Sequence, residues 1–146
     1  QARRLADAIV KARNTAPVDT TGRLVEVVSP LVSRAKEKKE LAQVFQALRI
    51  AVNGEMDALE SFLNQCVEAL RPGGRLAVIT YHSLEDRMVK NFMLTGRTDG
   101  HEEKDLFGRS SSPMKPLGSK PIVPTDDEVE RNPRSRSAKL RVATKL

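Results

Sequence analysis

Apolar residues recur every three to four positions through the first half of the chain, then give way to one short unbroken apolar run. Leu5, Ile9 and Ala12 form a stripe that predicts a helix over residues 2–14, and Pro17 breaks it. Thr20 or Thr21 then caps a shorter helix carrying Leu24, Val27, Val28 and Leu31. The charged stretch 34–40 fits a solvated loop or a helix start better than an RNA clamp. From Glu40 the period is again helical, with Leu41, Val44, Phe45, Leu48 and Val52 on one face. Asn53-Gly54 weakens or breaks that helix. A further run places Met56, Leu59, Phe62, Leu63, Cys66 and Leu70 on one stripe, where Cys66 reads as a core thiol.

Pro72, Gly73 and Gly74 stop the helix, since proline lacks a donor and glycine accepts left-handed dihedrals. Leu76, Ala77, Val78 and Ile79 follow without alternation, as in a strand of a parallel sheet covered on both faces. Ser83 is the expected N-cap of the next helix, with Asp86 three residues later and Glu85 in the first turn. His82 and Ser83 are thereby expected at the carboxyl end of a parallel strand, where open α/β sheets bind ligands. Leu84, Met88, Phe92 and Met93 mark an amphipathic helix to about Leu94. Residues 95–120, with glycines and prolines among serines and charges, are expected to be a long mobile connection. Pro121–Pro124 reads as a short edge strand. Thr125-Asp-Asp-Glu128 is a capping box for a short helix that Asn132-Pro133 ends. Ala138, Leu140 and Val142 alternate with polar residues, which predicts a half-buried last strand. The fold class is therefore α/β.

Composition narrows the function classes. A net charge of +6 over 146 residues makes an anionic partner plausible. The single cysteine excludes an internal disulfide and argues against a cysteine-based metal site, and no metal is expected. No apolar run reaches the roughly 20 residues that span a membrane, so no membrane partner is expected. With four Phe, one Tyr and no Trp, a base-stacking platform of the kind RNA-binding sheets use is disfavoured.

Four segments in order carry a resemblance: Phe45-Gln-Ala-Leu-Arg-Ile-Ala-Val-Asn53, Pro72-Gly-Gly-Arg-Leu-Ala-Val-Ile79, His82-Ser-Leu-Glu-Asp-Arg87 and Asn132-Pro-Arg-Ser-Arg-Ser-Ala-Lys-Leu-Arg141. Together they closely resemble the MraW family, methyltransferases that modify the exocyclic N4 of a cytosine in small-subunit ribosomal RNA. Arg3-Arg4 and Thr20-Thr21-Gly22 extend the likeness over nearly the whole chain. The resemblance implies the C-terminal half of a Rossmann-like methyltransferase sheet plus a helical insertion segment. Residues 1–55 would be the substrate-side insertion, and 56–146 the core, including the mobile 95–120. It also implies a cytoplasmic enzyme that uses S-adenosylmethionine and acts on ribosomal RNA or the small ribosomal subunit. Family members begin with a glycine-rich cofactor loop, and none of the eight glycines here forms such a cluster after a strand. The chain is therefore expected to be part of a longer enzyme, supplying target-base positioning and half of the active site, with an incomplete cofactor site and no activity alone. The alternative reading is a non-catalytic basic RNA-binding or assembly module.

Methyl transfer to an exocyclic cytosine amine needs an acceptor near its N–H groups, because the nitrogen lone pair is delocalised into the ring. His82, Ser83, Glu85 and Asp86 are the catalytic candidates. Against that, His82 could simply satisfy backbone groups at a strand end, Ser83 could be only a cap, and acids in a first helical turn are stabilising in their own right. Arg87 is expected to pair with either acid or to face RNA. The segment from Arg131 to Leu146 carries six basic residues and no acid, which favours phosphate contact by Arg134, Arg136, Lys139 and Arg141 over a merely solvated edge. The resemblance places Arg49 and Asn53 at the target-base cleft, although Asn53 could be only a helix cap. In the family's sheet, strand 75–81 lies between a strand of the other half and the final strand. Its bared edge is expected to drive self-association.

Overall fold

The computed structural model describes residues 1–102 and 112–146. They form two compact units, Gln1–Gly54 and Glu55–Leu146. The first is helical: α1 (Ala2–Thr15), α2 (Thr21–Val28), two 3-10 turns at Ser29–Leu31 and Arg34–Lys36, and α3 (Glu37–Asn53). Of the two threonines, Thr20 is the cap of α2, its hydroxyl accepting the Arg23 N–H at 3.1 Å. Leu24, Val28 and Val32 are the buried core, with Leu5, Ile9, Val18, Leu41, Val44 and Phe45 packed around them. The apolar stripe of α3 runs past this core, leaving Leu48 and Val52 exposed. Gly54, in the left-handed conformation that glycine adopts without strain, closes α3.

The second unit opens directly with α4 (Glu55–Ala69), followed by β1 (Arg75–Thr80), α5 (Ser83–Thr95), β2 (Met114–Pro116), α6 (Asp126–Arg131), a 3-10 turn at Pro133–Ser137 and β3 (Lys139–Lys145). The sheet order is β1-β3-β2 and both pairings are antiparallel, with Arg75 opposite Thr144, Thr80 opposite Lys139, and Met114 opposite Lys145. The parallel, doubly covered strand expected at 75–81 is thus corrected. β1 runs against β3, and its burial alternates, Leu76 and Thr80 inward, Ala77 and Ile79 outward. A continuous apolar run fits either arrangement, and it is the partner strand, far along the chain, that decides. The described strands make a small antiparallel sheet in a mixed α/β unit, and β1 lies beside the chain's final strand, the neighbour that the resemblance implies.

α4 and α5 cover one face of the sheet. Leu63, Leu76, Val89, Phe92, Met93, Met114 and Ala143 form the core between them, and Cys66 packs at its margin. Burial pushes the Cys66 thiol up, as befits a core thiol. Within the stretch expected to be a connection, Met114–Pro116 is a strand and Met114 lies in the core. Three residues bounded by prolines carry no readable period, so only the tertiary pocket for Met114 reveals them. Gly96 ends α5 at φ +77°, and a Cβ there would sit 2.6 Å from Pro113 Cδ, so the turn into this segment excludes larger residues. The rest of that expected connection, 103–111, lies outside the described residues. The edge strand expected at Pro121–Pro124 reduces to one bridge, Ile122 with Leu140. Lys145 donates from Nζ to the carbonyls of Val67 and Leu70, capping the C-terminal end of α4 where a cation is favoured. Among the described residues no helix is long and apolar enough to cross a membrane.

Candidate functional site

The polar corner between β1 and α5 is built by a reciprocal cap. His82 is extended (φ −138°, ψ 163°), and the Glu85 N–H donates to its Nδ1 at 3.4 Å. In return Glu85 Oε2 accepts the N–H groups of Tyr81 and His82 at 3.0 and 3.3 Å. The N-cap is therefore His82, not Ser83, which is the exposed first residue of the helix. The spacing His82-x-x-Glu85 is that of a capping box with an imidazole in place of the usual hydroxyl. This substitution fixes chemistry as well as structure. With Nδ1 accepting a backbone hydrogen bond, the neutral ring carries its proton on Nε2. Nε2 is sealed from solvent, lies 3.3 Å from Glu85 Oε1, and makes no aligned hydrogen bond.

Glu55, the first residue of α4, brings a second carboxylate to this corner. Ligand atoms of Glu55, His82 and Glu85 all lie within 4.8 Å of one another, and all three residues are partly buried. Tyr81, the chain's one tyrosine, stands 57 % exposed beside them. The sequence reading assigned no role to either. Tyr81 is legible inside the same motif, flanking His82, whereas Glu55 reaches the corner only through the packing of α4 on α5.

Asp86 is not a free acid of the first turn. It is buried, and Arg141 grips it from two nitrogens, Nε to Oδ1 at 2.7 Å and Nη2 to Oδ2 at 3.2 Å. Lys139 Nζ adds a third contact to Oδ2 at 3.1 Å. The Arg141 hydrogen bond, with Lys139 behind it, holds the Asp86 carboxyl below the usual carboxylate range despite its burial. An acid so engaged is a poor proton acceptor. Arg87 is not its partner as expected: it is exposed on α5, while Glu85 turns to backbone. The basic C-terminal segment divides in the same way. Arg141 is buried in the pair at 10 % side-chain exposure, Lys139 keeps 41 %, and Arg134 and Arg136 are exposed on the 3-10 turn. Arg49 and Asn53 lie on exposed positions of α3 in the other unit, where Gly54 rather than Asn53 supplies the left-handed cap.

The positive-φ glycines among the described residues are Gly54, Gly73, Gly96 and Gly100, and none stands in a strand-to-helix loop. Of the two strand-to-helix connections among the described residues, Tyr81-His82 contains no glycine and 117–125 contains only Gly118. The described residues therefore do not form the glycine-rich cradle that S-adenosylmethionine is expected to need.

A family model described as the MraW methylase family matches residues 1–146. The chain is 60 % identical over 143 residues to ribosomal RNA small subunit methyltransferase H of Bacteroides thetaiotaomicron, an alignment covering 98 % of this chain and 47 % of that protein. The protein of the same name from Parabacteroides distasonis is 60 % identical over 144 residues, covering 99 % and 47 %. That from Cytophaga hutchinsonii is 53 % identical over 142 residues, covering 97 % and 47 %. The chain spans about half the length of these curated relatives.

Asp86 generates a prediction of sign. A carboxylate whose value is lowered by folding stabilises the native state above its unfolded value, and that contribution is lost as pH falls through the folded value. Urea unfolding of this chain should therefore show stability decreasing below the ordinary carboxylate range. Asp86→Ala, which leaves Arg141 buried and unpaired, should cost about 3–5 kcal/mol at neutral pH. The variant should also lose part of that acid dependence. A variant with unchanged stability would show the pair to be incidental.

Proposed function

The chain belongs to the MraW methylase family, and from that premise we propose that it is part of an S-adenosylmethionine-dependent methyltransferase acting on the N4 of a cytosine in small-subunit ribosomal RNA. The observation that carries this reading is the match of the whole chain to the family, supported by 60 % identity to relatives named as small-subunit ribosomal RNA methyltransferases. S-adenosylmethionine supplies the methyl group; its contacts are assigned to the portion of the relatives that this chain does not cover. The chain's own role is to hold the target base.

The corner supports that role through its hydrogen-bond chemistry. His82 spends Nδ1 on the helix cap, so it serves as an orienting donor through Nε2–H rather than as a base. Glu85 Oε1 is the acceptor closest to it, and Oε2 is held by two backbone donors. A carboxylate anchored at one oxygen presents the other in a fixed position, which is what orientation of a weakly nucleophilic amine requires. Asp86 acts at one remove, as a positioning residue that ties the helix start to β3. Ser83, Arg87, Arg134, Arg136 and the exposed part of Lys139 are assigned to the RNA side, as are Arg49 and Asn53 on α3. Arg141 is reassigned from phosphate contact to the fold. Ribosomal RNA as substrate implies a cytoplasmic site of action.

The direct test is a chimera in which this chain replaces the matching segment of the Bacteroides thetaiotaomicron protein. Incubated with S-adenosylmethionine and small ribosomal subunits lacking the modification, it should yield N4-methylcytidine by nuclease digestion and mass spectrometry. Arg134→Ala with Arg136→Ala should weaken its RNA binding and lower the slope of log affinity against log salt by somewhat under two units. RNA binding without methylation, under conditions where the parent protein is active, would favour the assembly-module reading instead.

The edge of the sheet supports a second proposal, self-association of the isolated chain. β1 pairs on one side only among the described residues, and Ile79 is 57 % exposed on it. An apolar strand with open donors and acceptors templates pairing with another chain. By contrast β2, the other edge, is three residues ending in proline and poorly suited to pairing. Sedimentation velocity at micromolar concentration should show a concentration-dependent dimer, reduced by Ile79→Lys. A clean monomer with a cooperative melt would count against it.

A further inference from the structure

We propose that Glu55 is a second substrate-contacting carboxylate, which with Glu85 accepts hydrogen bonds from the exocyclic amine of the target base and selects cytosine over uracil. This deepens the methyltransferase reading and rests on it. Glu55 and Glu85 head different helices and converge on one imidazole, every ligand atom within 4.8 Å of the others. Two carboxylates this close repel unless donors lie between them. The Nε2–H of His82 faces one of them, Glu85 Oε1, at 3.3 Å without an aligned bond. Each carboxylate offers about four lone-pair directions, so acceptor capacity remains at both whatever else they contact. The corner is thus rich in acceptors and asks for a ligand that donates.

A metal ion is the competing occupant, and the cap argues against it. Coordination through Nε2 needs that nitrogen's lone pair, which moves the ring proton to Nδ1. Nδ1 faces the Glu85 N–H, so the new N–H would confront another donor and the capping box would open. A neutral planar amine has no such conflict. The cytosine amino group carries two N–H donors, one for each carboxylate, whereas the 4-oxo group of uracil would turn an acceptor toward two anions. Sites that pair a substrate N–H discriminate strongly against an analogue lacking it. Tyr81, exposed at the same corner, offers its ring face to a base whose edge is held in this way.

The test needs neither methyl donor nor turnover, so its failure is distinct from failure of the chimera to methylate. The 146-residue chain, with its histidines labelled in the ring nitrogens, is titrated with cytidine and with uridine while the His82 Nε2 resonance is followed by NMR. The free chain should show Nε2 protonated and Nδ1 unprotonated. Cytidine should shift Nε2 with an affinity at least tenfold above that of uridine. Glu55→Gln should bring the two nucleosides within about twofold of each other while the melting temperature holds, and Glu55→Asp should restore part of the preference. Equal responses to the two nucleosides, no response to cytidine, or a preference that survives Glu55→Gln would overturn the proposal. Selective broadening of Nε2 by manganese ion alone would assign the corner to a cation and overturn it as well.

Discussion

The second unit depends on one charge pair. Arg141, in the middle of β3, reaches the first turn of α5 and holds Asp86 from two nitrogens, with Lys139 on the same strand adding a third contact. Asp86 follows Glu85 directly, so the pair fixes where α5 begins and which way its first turn faces. Everything at the corner is registered to that turn. The Glu85 N–H must find His82 Nδ1, and the Glu85 side chain must find the backbone of Tyr81 and His82. β3 is itself held between β1 and β2, so the helix start is tied to the most constrained strand of the sheet. A buried ion pair adds little net stability compared with apolar packing, but breaking one partner away is costly. Its value here is geometric.

That arrangement divides labour among acids that look equivalent along the chain. Glu85 and Asp86 are neighbours, yet one is turned toward backbone donors and an imidazole while the other is locked to a guanidinium. Basic residues divide similarly. Arg141 belongs to the fold and Lys145 caps α4, while Arg134 and Arg136 stay exposed. A count of positive charge in the C-terminal segment therefore overstates the surface available to RNA.

Much of this was legible beforehand, for identifiable reasons. Helices α1 to α5 carry apolar stripes long enough for the period to be unambiguous, and Leu24, Val28, Leu63, Phe92 and Met93 of the two cores lie on them. Thr20 and Thr125 cap helices by local chemistry that needs no tertiary information. Strand direction was not legible, because Leu76–Ile79 are apolar whichever way a neighbour runs. β2 escaped notice because three residues set no period. At the corner the motif residues His82 and Glu85 were found, but the cap was placed one residue late, since a histidine N-cap is unusual beside an available serine. Glu55 carried no signal, and only the packing of α4 against α5 brings it to the histidine.

A double-mutant cycle on Asp86 and Arg141 tests the central claim most directly, with Asp86→Asn, Arg141→Met and the double variant unfolded in urea at neutral pH. If the pair is the constraint that holds the helix start, the two substitutions should be coupled by about 2 kcal/mol or more, toward the upper end of the range for residues in direct contact. The double variant would then lose less stability than the two single losses added together. Additive losses, with coupling below about 0.5 kcal/mol, would contradict the account and leave the corner's geometry to the apolar core alone.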